Sequence, residues 1–135
     1  MGIENFRKAL NYYLLKHQYS NAETDDLLKA FDLFSYKPVR KIMNAWLKRS
    51  GYPMLKVRQN GNCYSLKQEK FSINGVNSEE EKKMLWKIPM IYKFEMNGES
   101  KKLVFRKRER SCFSKNIFDT NVDAIGLYRT QYTSD

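Results

Sequence analysis

The chain has 135 residues, of which 41% are hydrophobic and 14% aromatic, enough for one ordinary domain or two small ones, so a disordered chain is not expected. No run of ~18 apolar residues and no signal-peptide pattern is present, so we expect no membrane span and predict a cytoplasmic protein. A net charge of +10 makes nucleic acid one partner class to consider.

The first part of the chain has helical periodicity and predicts three short amphipathic helices. The apolar stripe of the first, over residues 4–17, consists of Phe6, Leu10, Tyr13 and Leu14. Thr24 is the predicted N-cap of the second, because Asp25 and Asp26 follow in the first turn, where carboxylates stabilise a helix. The stripe of this second helix consists of Leu27, Leu28, Phe31 and Phe34.

Pro38 suits the first position of a third helix, because its missing N–H has no intrahelical partner there. The apolar face of that helix consists of Val39, Ile42, Met43 and Trp46. Gly51 predicts its end, and Pro53 prevents it from resuming. Three short helices with short connections indicate a piece of an antiparallel helical array over residues 1–50.

From Pro53 onward the hydrophobic period changes to two, which is typical of strands. The Asn-Gly pairs at 60–61, 74–75 and 97–98 predict hairpins, because both central residues of a type I′ turn need positive φ. Six or seven short strands are predicted, among them residues 54–58, 63–66, 86–94, 103–105 and 127–132. The strand of Pro89 is either an edge there or bulged, because proline cannot donate to a ladder. Residues 79–84 fit a helical turn and a solvated loop equally well. The predicted fold class is α+β: helices followed by an antiparallel β-sandwich over residues 51–135.

Catalytic chemistry finds little support in the residue types. His17 is the single histidine, so a His-Glu-x-x-His zinc helix is impossible, and we interpret His17 as a helix-terminal cation or a partly buried packing residue. Cys63 and Cys112 lack the close spacing of metal sites, and free reduced thiols are favoured over a disulfide.

Acidic pairs and basic runs have ordinary structural interpretations. Asp25 and Asp26 fit a helix cap, and residues 79–81 fit a solvated loop. Positive charge concentrates around one predicted strand, at Lys101, Lys102, Arg106, Lys107, Arg108 and Arg110. A nucleic-acid-binding module is the alternative function, but a solvated strand face is favoured, because Leu103 and Phe105 alternate as core residues do. We predict no catalytic, cofactor-binding or metal-binding residue.

Four passages stand in order along the chain and carry a family resemblance. They are residues 5–27 (Asn5-Phe6-Arg7 to Asp25-Asp26-Leu27), residues 39–57 with Ser50-Gly51-Tyr52-Pro53, residues 86–90 (Trp-Lys-Ile-Pro-Met) and residues 126–132 (Gly-Leu-Tyr-Arg-Thr-Gln-Tyr). Together they resemble the zinc aminopeptidases, a family that includes aminopeptidase N, the puromycin-sensitive enzyme and the archaeal tricorn-interacting factors. The matching region is the end of the catalytic domain and the β-sandwich after it. The last passage is close to a sandwich-ending Gly-Phe-Tyr-Arg-Val-x-Tyr pattern.

The resemblance implies that the chain is a part of a larger enzyme. In the family, zinc is held by a His-Glu-x-x-His helix and a later Glu, and these have no counterpart here, so no catalytic residue is carried over. His17 matches a loop histidine and Arg129 belongs to the sandwich-ending pattern, neither with an assigned role. The implied function is a non-catalytic spacer in a zinc-dependent aminopeptidase that removes N-terminal residues from peptides. The expected partners are the remaining domains of that protein, and a second copy contacting the exposed helical face.

Overall fold

The computed structural model describes residues 1–75, 77–94, 98–114 and 119–133. The chain divides into two units, Met1–Leu47 and Lys48–Asp135, the first helical and the second mostly strands. The predicted fold class, a helical segment followed by a β-sandwich, is confirmed. Within the described ranges, no helix combines the length and apolarity that crossing a membrane requires.

The helical unit contains α1 (Ile3–Lys16), α2 (Thr24–Leu33) and α3 (Val39–Leu47), with α1 packed on α2 and α2 on α3. Its buried residues are Ala9, Leu28, Ala30, Ile42 and Ala45. Three of these are alanines, whose small side chains let the helices approach closely. The predicted stripes are partly exposed, at Phe6 and Leu14 on α1 and at Met43 on α3.

The acidic start of α2 differs from the prediction by one residue. Thr24 is already helical, and Glu23 is the N-cap, whose N–H donates to Asp26 Oδ2 at 3.2 Å. Asp25 instead accepts two hydrogen bonds from the Arg40 guanidinium, at 2.6 and 2.7 Å, and so joins α2 to α3. The same guanidinium holds the pKa of the Asp25 carboxyl below its usual value.

The second unit contains two sheets. The strands are β1 (Pro53–Asn60), β2 (Cys63–Lys70), β3 (Ile88–Lys93), β4 (Ser100–Phe105), β5 (Glu109–Ser114) and β6 (Arg129–Thr133). Their order is β5-β2-β1-β6 in one sheet and β3-β4 in the other. β6 runs parallel to β1, with Arg129 opposite Met54, so the prediction that all strands are antiparallel is wrong at this pair. The long connection between β1 and β6 permits parallel pairing, whereas a tight hairpin does not.

The inner faces of the two sheets form the sandwich core. Alternate residues of β1, including Leu55 and Val57, are buried, as are Ile88 and Met90 of β3. The other buried apolar residues of this unit are Leu66, Trp86, Phe105, Val122 and Tyr128. The period of two that predicted the strands is therefore the period of burial.

Gln68 is a fully buried polar residue within this apolar core. Its side-chain Nε2 donates to the carbonyl oxygens of Trp86, at 3.1 Å, and of Lys107, at 2.7 Å. Its Oε1 accepts the Trp86 N–H at 2.8 Å. Trp86 precedes β3 and Lys107 follows β4, so this one amide connects the four-stranded sheet to both strands of the smaller sheet.

The three Asn-Gly pairs have different outcomes. A hairpin joins β1 to β2, but Asn60 pairs with Cys63, so the turn consists of Gly61 and Asn62, and of these only Gly61 has positive φ. A hairpin also joins β3 to β4, as predicted; Asn97 lies outside the described residues. The hairpin predicted at 74–75 is wrong, because a turn there leads into a short helix instead.

That short helix, α4 (Glu79–Lys82), resolves the open choice at residues 79–84 in favour of a helical turn. Ser78 Oγ accepts the Glu81 N–H at 3.2 Å, and the Glu81 carboxylate accepts the Ser78 N–H at 2.9 Å, which forms a capping box. The Lys70 ammonium also pairs with Glu81 and lowers its pKa. The sequence Ser-Glu-Glu-Glu was a capping signal that composition alone obscured.

Cys63 and Cys112 form a disulfide, so the prediction of free thiols is wrong. β2 and β5 are neighbours in the four-stranded sheet, and their register shifts between Tyr64 and Leu66, beside the bond. Two cysteines 49 residues apart therefore lie on adjacent strands. Spacing along the sequence could not show this, because it depends on which strands become neighbours.

Replacing Cys112 by serine is expected to lower the free energy of unfolding by about 2–4 kcal/mol, because the disulfide restricts the unfolded chain. Guanidinium unfolding followed by tryptophan fluorescence measures the change. A reductant should lower the native chain to the stability of the variant and leave the variant unaffected. Equal midpoints for the two proteins without reductant would contradict the disulfide.

Candidate functional site

The residues considered for catalysis are engaged in structural roles. His17 is the C-cap of α1, and its ring lies 5.2 Å from that of Tyr13, as expected of a packing residue at a helix end. Cys63 and Cys112 lack the thiolate that nucleophilic or metal chemistry needs while they are disulfide-bonded. In the part of the chain that the structure describes, no group of three or more His, Cys, Asp or Glu could hold a metal. Zinc therefore does not fit these side chains.

Arg129 lies over two aromatic rings at the end of the four-stranded sheet. Its guanidinium carbon is 4.4 Å from the Phe71 ring centroid and 5.9 Å from that of Tyr52. The Tyr52 and Phe71 rings stack at 5.0 Å, and the Phe71 N–H donates to the Tyr52 carbonyl at 2.9 Å. We call these three residues the Arg129 stack. Cation–π attraction there connects the start of β6 to residues flanking β1 and β2.

A polar corner precedes β6 and is built around Asn121. The Asn121 Oδ1 accepts the Gly126 N–H at 2.8 Å, and its Nδ2 donates to the carbonyls of Gly126 and Tyr128, at 3.2 and 3.1 Å. The Tyr128 hydroxyl donates to the Thr120 carbonyl, and burial raises the pKa of that phenol well above its usual range. The Tyr132 hydroxyl accepts the Thr120 N–H at 2.9 Å. These five residues form the β6 corner, whose groups bond to one another.

Gly126 is required in this corner by contact rather than by backbone conformation. A Cβ at this position would lie 2.1 Å from Cε1 of Tyr128 and 2.8 Å from Oδ1 of Asn121. The ring of Tyr128 therefore packs directly on the glycine. Gly126, Tyr128 and Tyr132 of the passage 126–132 thus contribute to the contacts that hold the start of β6.

The two most distinctive sequence passages meet in space. Residues 51–53 lead into β1 and residues 126–132 lead into β6, and these strands pair in parallel, with Met54 opposite Arg129. Tyr52 from the first passage packs against Arg129 from the second. The sequence identifies both passages but does not predict their contact, because all of the predicted strands are antiparallel.

The basic segment lies mostly around β4, as predicted. Lys101 and Lys102 belong to β4, and residues 106–108 follow it directly, whereas Arg110 belongs to β5 in the other sheet. The Lys101 ammonium lies 5.1 Å from the Phe94 ring centroid, and the Arg110 guanidinium lies at the same distance from that of Phe113.

A shallow depression of about 310 Å³ lies on the four-stranded sheet and was not predicted. It is lined by Arg58, Asn60, Ser65, Glu109 and Ser111, which come from three strands. The lining is polar and carries both signs of charge, and the Ser65 hydroxyl donates to the Arg58 carbonyl. No sequence signal marks it, because the lining is assembled only by the order β5-β2-β1.

Comparison with known proteins places the whole chain against one segment of longer relatives. It is 36% identical over 135 residues to tricorn protease-interacting factor F2 of Thermoplasma volcanium, covering 100% of this chain and 16% of that protein. It is 36% identical over 135 residues to leucyl aminopeptidase of Saccharolobus solfataricus and 34% identical over 137 residues to alanine/arginine aminopeptidase of Saccharomyces cerevisiae, covering 98% and 100% of this chain and 16% of each relative. No family model matches the chain.

The Gly126→Ala substitution is expected to lower the free energy of unfolding by about 3 kcal/mol, because the added methyl group collides with Tyr128 and Asn121. Gly2→Ala is the control, since a Cβ there meets no atom within 4 Å and should cost less than about 1 kcal/mol. Urea unfolding measures both. A cost for Gly126→Ala no larger than that of the control would refute the packing described for this corner.

Proposed function

We propose that this chain, which belongs to the family of the tricorn protease-interacting factors and M1 aminopeptidases and matches one segment of its members, is a non-catalytic structural part of an aminopeptidase. In this proposal residues 1–50 are the last helices of a catalytic domain, and residues 51–135 are a β-sandwich that separates that domain from the next. The observation that carries the proposal is alignment along the whole chain with relatives named as aminopeptidases, of which it spans only 16%.

The structural roles of the distinctive residues support a spacer. Arg129, with Tyr52 and Phe71, and Gly126, with Tyr128, hold strands together rather than presenting reactive groups. The whole protein would use zinc, held by residues outside this segment, to remove N-terminal residues from peptides. The nucleic-acid alternative rests on the basic residues in and beside β4 alone, whereas the relatives are named as aminopeptidases.

Uncovered apolar surface in the helical unit supports the proposed partners. Five aliphatic residues on its helices are at least 55% exposed: Ile3, Leu14, Leu15, Leu33 and Leu47. Their exposure costs solvation free energy of about 25 cal/mol per Å² of apolar surface. In the proposal the remaining domains of the aminopeptidase cover this surface, and in their absence a second copy does.

We propose a cytoplasmic location, and the disulfide has to be compatible with that compartment. Reducing conditions keep most cytosolic thiols free, whereas hyperthermophilic organisms maintain disulfides inside the cell. The bond between Cys63 and Cys112 is thus compatible with a cytoplasmic protein from such an organism, or with a bond that opens in the cell.

A segment exchange tests the spacer directly. Replacing the matched segment of the S. solfataricus leucyl aminopeptidase by this chain should preserve release of leucine from leucine 4-nitroanilide to within about tenfold, since the loss then stays near 1.4 kcal/mol of activation free energy. The same exchange carrying Gly126→Ala should lose most of the activity through misfolding. A folded hybrid without activity would count against an equivalent spacer, as would turnover of this substrate by the chain alone, with or without added zinc.

Light scattering tests the helical surface. The isolated chain should dimerise or form larger assemblies at high concentration, and Leu15→Glu should shift it towards monomer by replacing an exposed apolar side chain with a charged one. Leu127→Glu is the matched control, because Leu127 is similarly exposed but lies in the other unit. A monomeric native chain, or equal effects of the two variants, would argue against this surface.

A further inference from the structure

The smaller sheet has only two described strands, so each of them has an outer edge. Backbone groups on such an edge can pair with an additional strand, which is how several domains capture extended peptides. Which groups point outward follows from the register of β3 and β4 together with two residues of β3, Lys93 and Pro89.

The Lys93 N–H donates to the Asp119 carbonyl at 2.8 Å, on the side of β3 away from β4. Because backbone direction alternates along a strand, Ile91 and Pro89 point to that same side. Pro89 has no N–H, which agrees with an outward position. One edge of the smaller sheet is thus partly occupied at Lys93 and lacks a donor at Pro89.

The residues of β4 opposite Lys93, Ile91 and Pro89 direct their backbone groups away from β3. Ser100, Lys102 and Val104 pair with Lys93, Ile91 and Pro89 as non-hydrogen-bonded pairs, so their N–H and C=O groups point to the outer edge of β4. Among residues 1–75, 77–94, 98–114 and 119–133, no backbone hydrogen bond to these groups is formed outside the sheet itself. These three alternate residues of β4 can form a short ladder of backbone hydrogen bonds with an extended segment.

The positive charge at the outer edge of β4 indicates what kind of extended segment can pair with it. Residues 99–109 contain five basic side chains and two acidic ones, a net charge of +3, and Lys101 and Lys102 lie within β4 itself. Pairing of β4 with a second copy of itself would bring these lysines together, and like charges on neighbouring strands are destabilising. Lysines on an edge also discourage uncharged strands.

We propose that the outer edge of β4 is a docking site for an extended, acidic peptide segment of a partner protein. Its backbone adds a third strand beside Ser100, Lys102 and Val104, and its carboxylates lie near Lys101 and Lys102. The backbone ladder provides part of the affinity, and the lysines provide selectivity for negative charge.

Fluorescence anisotropy with a labelled peptide, acetyl-Glu-Val-Glu-Val-Glu-Val-Glu-amide, tests the site on the full chain. Methylating its four central amide nitrogens keeps every charge but removes ladder bonds, and should weaken binding at least about tenfold. Binding should also weaken severalfold between ~50 and ~200 mM salt. A peptide in which each glutamate is replaced by lysine should not bind.

Variants of the chain locate the binding. Val104→Pro removes an outward N–H that the β3–β4 pair does not use, and Lys102→Glu reverses a charge; each should weaken binding about tenfold. Lys37→Glu, in the other unit, is the control for net charge and should change it less than about twofold. Should Val104→Pro fail to fold, backbone amide NMR shifts of the native chain, confined to residues 100–104 on addition of peptide, replace it.

Three results would overturn the proposal. The first is equal binding of the methylated peptide, which would mean attraction by charge alone. The second is NMR shifts spread away from β4. The third is tighter binding of single-stranded oligonucleotide with the same loss in Lys102→Glu, which would assign the edge to nucleic acid.

Discussion

The sandwich depends on one buried amide, that of Gln68. Both hydrogens of its Nε2 and one lone pair of its Oε1 are used, on Trp86 and Lys107. An amide in an apolar core costs about 1–3 kcal/mol for each group left without a partner, so the structure is confined to arrangements that bring both chain segments to it. The Gln68 amide thereby connects Trp86, just before the smaller sheet, and Lys107, just after it, to the larger sheet.

The remaining constraints lie where β1 and β6 begin. The Arg129 stack joins the start of β6 to Tyr52 and Phe71, and the β6 corner directs the chain into that strand through Asn121. The parallel pair of β1 and β6 needs both, because no hairpin sets its register. Two of the passages that resemble the aminopeptidase family, around residues 50–53 and over residues 126–132, thus lie where β1 and β6 begin, and residues of the two pack against each other.

Periodicity and turn residues predicted much of the fold, because they act locally. The first strand begins at Pro53, one residue before its predicted start, and the first hairpin turn contains Gly61. Pro89 lies in an edge strand, one of its two predicted alternatives. Two errors concern partners distant in sequence, namely the disulfide between Cys63 and Cys112 and the parallel β1–β6 pair, whereas the hairpin wrongly predicted at residues 74–75 is a local error. Gln68 gave no signal either, since a polar residue in an alternating strand is ordinarily assigned to the solvent face.

The two units differ in how they bury apolar surface. Because of this difference, the stability of the helical unit depends more on a covering partner. The sandwich buries large side chains such as Trp86 and Phe105, whereas three of the five buried residues in the helical unit are alanines. Leu15 and Leu33 remain more than half exposed. Burial of small side chains contributes little free energy, and a unit of 47 residues has little core to spare. A covering partner therefore matters most for the helices, whereas the sandwich buries large side chains of its own.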